Sequence, residues 1–325
     1  MRIELPVARA DDAVTCAMVA DLVGVPEEAV SFVWRNDDGG YTFRYLGEPR
    51  RVLPIIPSQV EPVVPAKTKR WGRKAESEAG PAQTSQTDAS QPADEVAPVL
   101  ERRPVFLNWV PVDQRERCEA ARERSLWVGR YVPVPRFSRV REGLGGWWMT
   151  SPGLPGESTL AHWGRSHPHQ SVVAIATGLR RLHDRAPVES CPFEWVVARR
   201  VAEARRAVTR DAAWREAPDD YFQDWDQDRA YEVLAACIMR EPELVVCHGD
   251  PCSPNYLISP ATGGFTGLVD IGDLGVADRW ADLAVASWSV CWNFGPDWEN
   301  LFFTAYGIDP DQQKIDFYRL LWNVG

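Results

Sequence analysis

Residues 245–284 read VVCHGDPCSPNYLISPATGGFTGLVDIGDLGVADRWADLA. The apolar run at 244–247 predicts a short strand that delivers His248, Gly249 and Asp250 into a loop rich in Pro, Ser and Asn. Asn255 follows five residues after Asp250. Residues 256–258 then read as a second strand, 261–264 as a turn and 266–269 as a third strand, and this hairpin returns the chain to Asp270, Ile271 and Gly272.

One carboxylate, one amide and a second carboxylate thus converge from either side of a hairpin. Phosphoryl transfer uses such a set: an Asp accepts the proton of the attacking hydroxyl, and an Asn with another Asp holds Mg²⁺ on the phosphates of a nucleotide. Mg²⁺ prefers oxygen ligands and keeps several waters, so two protein ligands beside phosphate oxygens suffice.

HGDxxxxN followed by DIG resembles the catalytic and metal loops of the protein-kinase-like fold, whose protein kinases carry H-R-D-x-x-x-x-N and D-F-G. With Gly after His, and with GVADRWADLA behind it, the stretch is similar to the aminoglycoside phosphotransferases, above all those acting on the 3′-hydroxyl. The similarity runs from about Val33 to the C-terminus with one insertion. It implies an α/β (α+β), two-lobed kinase-like fold, with a small antiparallel-sheet N-lobe and a mainly helical C-lobe. It also implies Asp250 as catalytic base, His248 as the brace of its loop, and Asn255 and Asp270 as Mg²⁺ ligands. Asp278 and Asp282 match positions that support the loop and open the next helix. Some members carry a basic residue three places after the metal aspartate, where this chain has Asp273.

At 325 residues the chain is long enough for two lobes and a sizeable core. A net charge of −10 argues against nucleic acid and anionic membranes as partners, and suits a cationic small molecule. The seven cysteines are an odd number without CxxC spacing, so reduced thiols are expected rather than a disulfide framework or a zinc ribbon. The start of the chain has acids and no apolar h-region, and no run is long enough to span a bilayer; a soluble, cytoplasmic protein is expected.

Upstream, residues 11–23 predict a helix outside the core lobe, stopped by Gly24 and Pro26. Residues 30–34 and 41–46 predict a hairpin whose turn, Asn36 to Gly40, resembles the element that folds over the nucleotide, with Asn36, Gly39 and Gly40 near its phosphates. The expected organisation is a first N-lobe part (1–57), a disordered low-complexity insertion (58–98), a second N-lobe part with the hinge (99–151), and a C-lobe (152–325).

Residues 105–109 resume strand character and 113–128 predict a charged helix. The family resemblance places a phosphate-binding Lys on this strand, paired to a Glu on the helix, yet Asn108 occupies the position. The four lysines are Lys67, Lys69, Lys74 and Lys314, none of them on the strand. Arg102, Arg103 or the basic run 67–74 are candidate replacements, and Glu116, Glu119 and Glu123 share one helical face as candidate former partners.

Residues 131–137 and 146–151 read as the last N-lobe strands, and WWMTSPGLPGES resembles the family's hinge, with Thr150 and Ser151 near adenine. His162, His167 and His169 lack companion ligands and read as an exposed loop before a helix at 172–183. Further helices are expected at 193–208 and 228–239. Between them EAPDDYFQDWDQD (216–228) carries six acids and no base. It is either a solvated face or, as the family resemblance implies, the rim of a site for a polycationic substrate, with Asp219, Asp220 and Asp224 as contacts and Tyr221, Phe222 and Trp225 as stacking rings. The resemblance likewise makes Asp297 and Glu299, near the C-terminus, substrate candidates.

The expected function is an ATP-dependent, Mg²⁺-requiring phosphotransferase acting on an aminoglycoside hydroxyl, at the 3′ position. The alternatives are a kinase of another small hydroxyl compound, or a nucleotide-binding protein weakened by Asn108.

Overall fold

The computed structural model describes residues 12–36, 39–47, 50–52, 99–101, 103–195, 197–208, 217, 219–238 and 242–324. By its contacts the chain forms two compact units, one of residues 1–47 with 103–325 and one of residues 48–102. In the second unit the described elements are β3 (Arg50–Val52) and β4 (Val99–Glu101), an antiparallel pair with Arg51 opposite Leu100. The insertion expected at 58–98 lies outside the described residues.

The first unit opens with α1 (Cys16–Val23), capped by Thr15, whose hydroxyl accepts from the Met18 N–H, and closed by Gly24 at φ +72°. It is followed by β1 (Val30–Arg35) and β2 (Tyr41–Leu46), then β5 (Pro104–Pro111), β6 (Arg141–Gly143) and β7 (Gly146–Pro152). These five strands form one antiparallel sheet in the order β1-β2-β5-β7-β6.

Strand alternation gives the sheet two faces. Tyr41, Phe43, Leu107, Trp109 and Trp148 cluster on one face with Val14, Val19 and Ala20. The N-terminal helix therefore belongs to the core of this lobe, contrary to the sequence expectation. Val19 and Ala20 of the helix, with Val14 just before it, cover that face, and burying them is what holds so short a helix. The opposite face carries Thr42, Asn108 and Met149 in register. The charged helix α2 (Arg115–Val128) packs against β5 and β7.

Residues 131–137 are irregular rather than a strand, although Val132 and Val134 are buried. Three of these seven positions are proline or arginine, and the Pro133 carbonyl accepts from the Leu268 N–H of the other lobe in place of a ladder partner.

The helical lobe begins after β8 (Glu157–Ser158), with α3 (His162–Ser166) and α4 (Pro168–Arg185). His162 thus opens a short helix and His169 lies in the first turn of the next, where a loop was expected; Pro168 at the first helical position favours that start. Then come α5 (Val197–Val208), α6 (Gln227–Ile238), β9 (Leu244–Cys247), β10 (Tyr256–Ile258), β11 (Phe265–Leu268), β12 (Gly275–Asp278), α7 (Trp280–Phe294), α8 (Glu299–Tyr306) and α9 (Gln312–Val324).

The α4 residues Val172, Ile175, Leu179 and Leu182 recur at helical spacing and are fully buried against α7, α8 and the short strands. β10 lies between β11 and β8, while β9 pairs with β12, a strand not expected from the sequence. Cys247 faces Gly275 and Leu244 faces Asp278 in that pair, so the strand entering His248 is locked to the segment leaving the metal loop.

Candidate active site

His248 leaves β9 completely buried. Its Nε2 lies 3.0 Å from the Val269 carbonyl oxygen and its Nδ1 3.3 Å from the Asp250 backbone nitrogen. A neutral ring protonated on Nε2 satisfies both, donating to the carbonyl and accepting from the amide. The imidazole ties the loop of Asp250 to the end of the hairpin that carries Asp270.

Gly249 has φ +89°, and a Cβ there would meet the Asp273 carbonyl oxygen at 2.3 Å. The two loops cross at a distance that only glycine allows. Behind them, in the first turn of α7, the Asp282 carboxylate accepts the backbone N–H of His248 at 2.5 Å and of Gly249 at 3.1 Å. Asp278 has a different support role: it accepts from the Trp280 N–H at 3.2 Å and from Lys314 Nζ at 3.0 Å, fixing the start of α7.

Asn255 donates from Nδ2 to the Asp250 carbonyl oxygen at 2.9 Å and to Asp250 Oδ2 at 3.1 Å. Its own carbonyl accepts from the Val269 N–H at 2.9 Å, one residue before Asp270. The Cys252 thiol lies beside Asp250, and burial followed by the Asp250 charge push its pKa up. Asp250 is thus held from two sides.

Asp270 adopts φ +55°, one of two non-glycine residues with positive φ among those described. Aspartate tolerates this left-handed conformation better than most side chains, and it projects the carboxylate out of the hairpin end. Crowding by surrounding protein, then repulsion from Asp250, push its pKa up to about 6. The residue nevertheless keeps an open, solvent-exposed side.

The donor set fits a hard divalent cation. The Asn255 Nδ2 is spent on Asp250, which leaves the amide oxygen for a cation, and the Asp270 carboxylate stands beside a second carboxylate whose repulsion a cation would relieve. The buried group His183, Cys247 and Asp282 behind the loop offers metal-compatible atoms too, but these are engaged: His183 with Tyr306 and Asp282, and the Cys247 thiol with the Asp278 carbonyl.

At the expected nucleotide side, the β1–β2 turn closes through Gly39 N to Asn36 O at 3.0 Å and Asn36 N to Gly40 O at 2.8 Å, with Gly39 at φ +86°. Asn108 sits between Thr42 and Met149, and Thr42 Oγ1 donates to its Oδ1 at 2.9 Å. What Asn108 can offer a ligand is therefore an amide N–H, without charge. Of the replacements suggested by sequence, Arg103 is exposed at the outer start of the strand, while Arg102 and residues 67–74 lie outside the described residues.

Thr150 differs from expectation. Its N–H donates to the Ser138 hydroxyl oxygen at 3.0 Å and its carbonyl accepts the Ser138 N–H at 2.7 Å, so its backbone is occupied by a strand-like partner. Ser151 is buried and lies opposite Phe106.

The acidic loop is partly structural. Asp219 Oδ2 accepts both the Trp288 and Trp292 indole N–H, at 2.7 and 2.9 Å, and Oδ1 accepts the Tyr221 N–H. Phe222 is fully buried against Trp288 and Trp225, so it is a core ring rather than a sugar platform; its apolar ring gains more from the core than from a wet rim. Tyr221 donates to Asp316 and packs against Trp288. Glu299 is paired to Arg319. Asp220 and Asp224 remain exposed. His167 stacks on Trp163 and His169 meets Trp298 edge-on, and these histidines share no ligand geometry with His162.

Residues 100–318 match the profile of the phosphotransferase enzyme family. The chain belongs to that family. Among curated relatives, this phosphotransferase is 34% identical over 206 residues to the aminoglycoside 3′-phosphotransferase of Streptomyces fradiae, covering 61% of this chain and 76% of the relative. It superposes on the crystal structure of an aminoglycoside-3′-phosphotransferase of type VIII with TM-score 0.57 and 30% identity, covering 69% of this chain and 86% of that one. It also matches the aminoglycoside phosphotransferase APH(3'')-Id from Streptomyces rimosus in complex with ADP and streptomycin, with TM-score 0.54, 29% identity, and 68% and 86% coverage. The kinase-like fold and the small-molecule kinase class read from HGDxxxxN and DIG are therefore those of this phosphotransferase.

Proposed function

We propose that this phosphotransferase moves the γ-phosphate of ATP to a hydroxyl of an aminoglycoside, at the 3′ position. The observation that carries the reading is the clamp on Asp250: its carboxylate and carbonyl oxygen both receive Asn255, while the backbone of its loop is held by His248 and Asp282.

Asp250 orients the acceptor hydroxyl and takes its proton as the new P–O bond forms and the bond from the γ-phosphorus to the ADP oxygen breaks. Asn255, through its amide oxygen, and Asp270, through its carboxylate, are the residues that would hold Mg²⁺. When bound, the metal supplies positive charge against the phosphate oxygens in the transition state. His248 and Asp282 keep the loop in one arrangement, so most of the rate gain is positioning already built into the fold. The β1–β2 turn with Asn36, Gly39 and Gly40 covers the phosphates, and Asn108 offers them an amide N–H. Ser151 and the residues after it face the adenine.

The acceptor is polycationic, and Asp220 and Asp224, exposed on the acidic loop, present it with carboxylates. Asp219 and Glu299 act through their anchoring partners, Trp288 with Trp292 and Arg319. The whole chain's charge of −10 favours such a ligand and disfavours nucleic acid. The enzyme would act in the cytoplasm and confer antibiotic resistance; separately, no helix among the described residues is long and apolar enough to cross a membrane.

A 3″-hydroxyl of streptomycin is the second reading, favoured by the match to the streptomycin-bound relative. The deciding assay is ADP release with Mg²⁺ and ATP in the presence of kanamycin, neomycin or streptomycin, with Asp250→Asn as blank and NMR of the product. Turnover on kanamycin or neomycin with phosphate on the 3′ oxygen supports the first reading, and turnover confined to streptomycin the second. Nucleotide binding without turnover on all three defeats both and points to another hydroxyl compound.

A further inference from the structure

A site that brings a nucleotide polyphosphate beside Asp250, Asp270 and Asp273 must supply positive charge from the protein as well as from a metal. The two positions from which the chain itself would most simply provide it carry none: Asn108 on β5 is neutral, and Asp273 follows Asp270 on the metal loop.

Beside Asn108, α2 packs against β5 and β7. Residues 117, 121 and 124 fall on one face of that helix, at spacings of four and three. Two of the three are anchored to the metal loop by distance. A Cβ on Gly272 would stand 4.0 Å from the Ala121 Cβ, and Arg124 Nε donates to the Leu274 carbonyl at 2.8 Å. The face therefore runs along residues 272–274 and brings its third member, Arg117 in the first turn, toward Asp270. Arg124 is committed elsewhere, to Leu274 and to the Phe193 ring, 4.9 Å below its guanidinium. Arg117 is solvent-exposed at the start of that face.

The small Ala121 matters as much as the arginine: its methyl is the one atom found within 4 Å of a Cβ placed on Gly272, so helix and metal loop approach closely there.

We propose that Arg117 is the cation by which this enzyme holds the phosphates of its nucleotide, supplied from the helix because the strand position is the neutral Asn108. A guanidinium is well matched to phosphate, because its planar donors can span two phosphate oxygens and it stays charged at every pH the enzyme meets.

The inference rests on the phosphotransferase reading, and the test separates the two. ADP and adenosine affinities are measured by calorimetry without metal, for the wild type, Arg117→Ala, Arg117→Gln and a control, Arg44→Ala, which lies two residues beyond Thr42 on the same sheet face and opposite Phe106. ADP binding is expected to weaken about tenfold or more in both Arg117 variants, with adenosine binding unchanged, because the lost bonds go to phosphate alone. Introducing Asn108→Lys into Arg117→Ala is expected to restore most of the ADP affinity. Three results overturn the inference while leaving the kinase reading intact: ADP affinity within twofold of wild type in the Arg117 variants, an equal loss for adenosine, or a loss that follows Arg44→Ala instead. Wild-type protein that binds neither ADP nor ATP removes the kinase reading and the inference with it.

Discussion

His183 Nε2 lies 3.0 Å from Asp282 Oδ2, and the same carboxylate holds the backbone N–H groups of His248 and Gly249. The other ring nitrogen of His183 lies 2.8 Å from the Tyr306 hydroxyl. A buried line of polar groups thus runs from α8 through α4 and α7 to the backbone of the catalytic loop. Truncating His183 leaves two buried partners short of a hydrogen bond, at a cost of roughly 1–3 kcal/mol. His183→Ala is expected to lower kcat about tenfold, with the KM for ATP within threefold and a reduced Tm. Wild-type kcat in a folded variant would show that the line is structural only.

Asp282→Ala removes the acceptor of two buried N–H groups and is expected to cost about 3–5 kcal/mol. Thermal unfolding measures it, and Asp282→Asn, which keeps one acceptor oxygen, should lose less. Equal losses would mean that the charge, and not the hydrogen-bond geometry, holds the loop.

Gly249→Ala sets a methyl 2.3 Å from the Asp273 carbonyl oxygen at a φ of +89°. Both the clash and the left-handed backbone oppose it. The loops must part, so phosphotransfer is expected to fall at least about a hundredfold, while ADP binding, measured separately, falls less.

Asp270→Asn is expected to abolish Mg²⁺-dependent turnover and yet to stabilise the protein without metal. The pKa of Asp270 is higher in the folded chain, about 6, than its ordinary value of 3.8. Between those pH values the native state binds a proton that the unfolded chain has released, so the stability from this site falls as pH rises through the window. Solvent on its open side keeps the effect on the order of 1 kcal/mol, or about 2–4 °C in Tm for a chain of this size. Comparing wild type and variant by calorimetry at pH 7.5 and pH 3.5 checks the sign. The gain should be present at the higher pH and vanish at the lower.

Asp219 and Asp224 are expected to separate anchor from rim. Asp219→Ala frees the indole N–H groups of Trp288 and Trp292, so it should lower Tm and raise the aminoglycoside KM together. Asp224→Asn should raise the aminoglycoside KM without moving Tm. An unchanged KM in Asp224→Asn would confine the substrate contact to other residues.

Much of this protein was legible because its chemistry is local in sequence. Asp250, Asn255 and Asp270 are separated by one loop and one hairpin, whose strand periodicity and turn residues are written in the chain itself, and β2, β9 and β10 fall where that pattern places them. Gly249 was visible as a motif letter, though its reason, the crossing of Asp273, was not.

The sequence by itself determined the kinase-like class, the order of the reacting groups and the absence of a strand lysine, since these depend on residue identity and short-range periodicity. The tertiary structure alone decided that α1 covers the sheet, that β12 locks β9, that Asp219 and Phe222 serve the core, and that the Arg117 face of α2 runs along the metal loop. Those facts depend on which surfaces meet across separations of tens to hundreds of residues, and burial of apolar area, which ignores order along the chain, settles that choice.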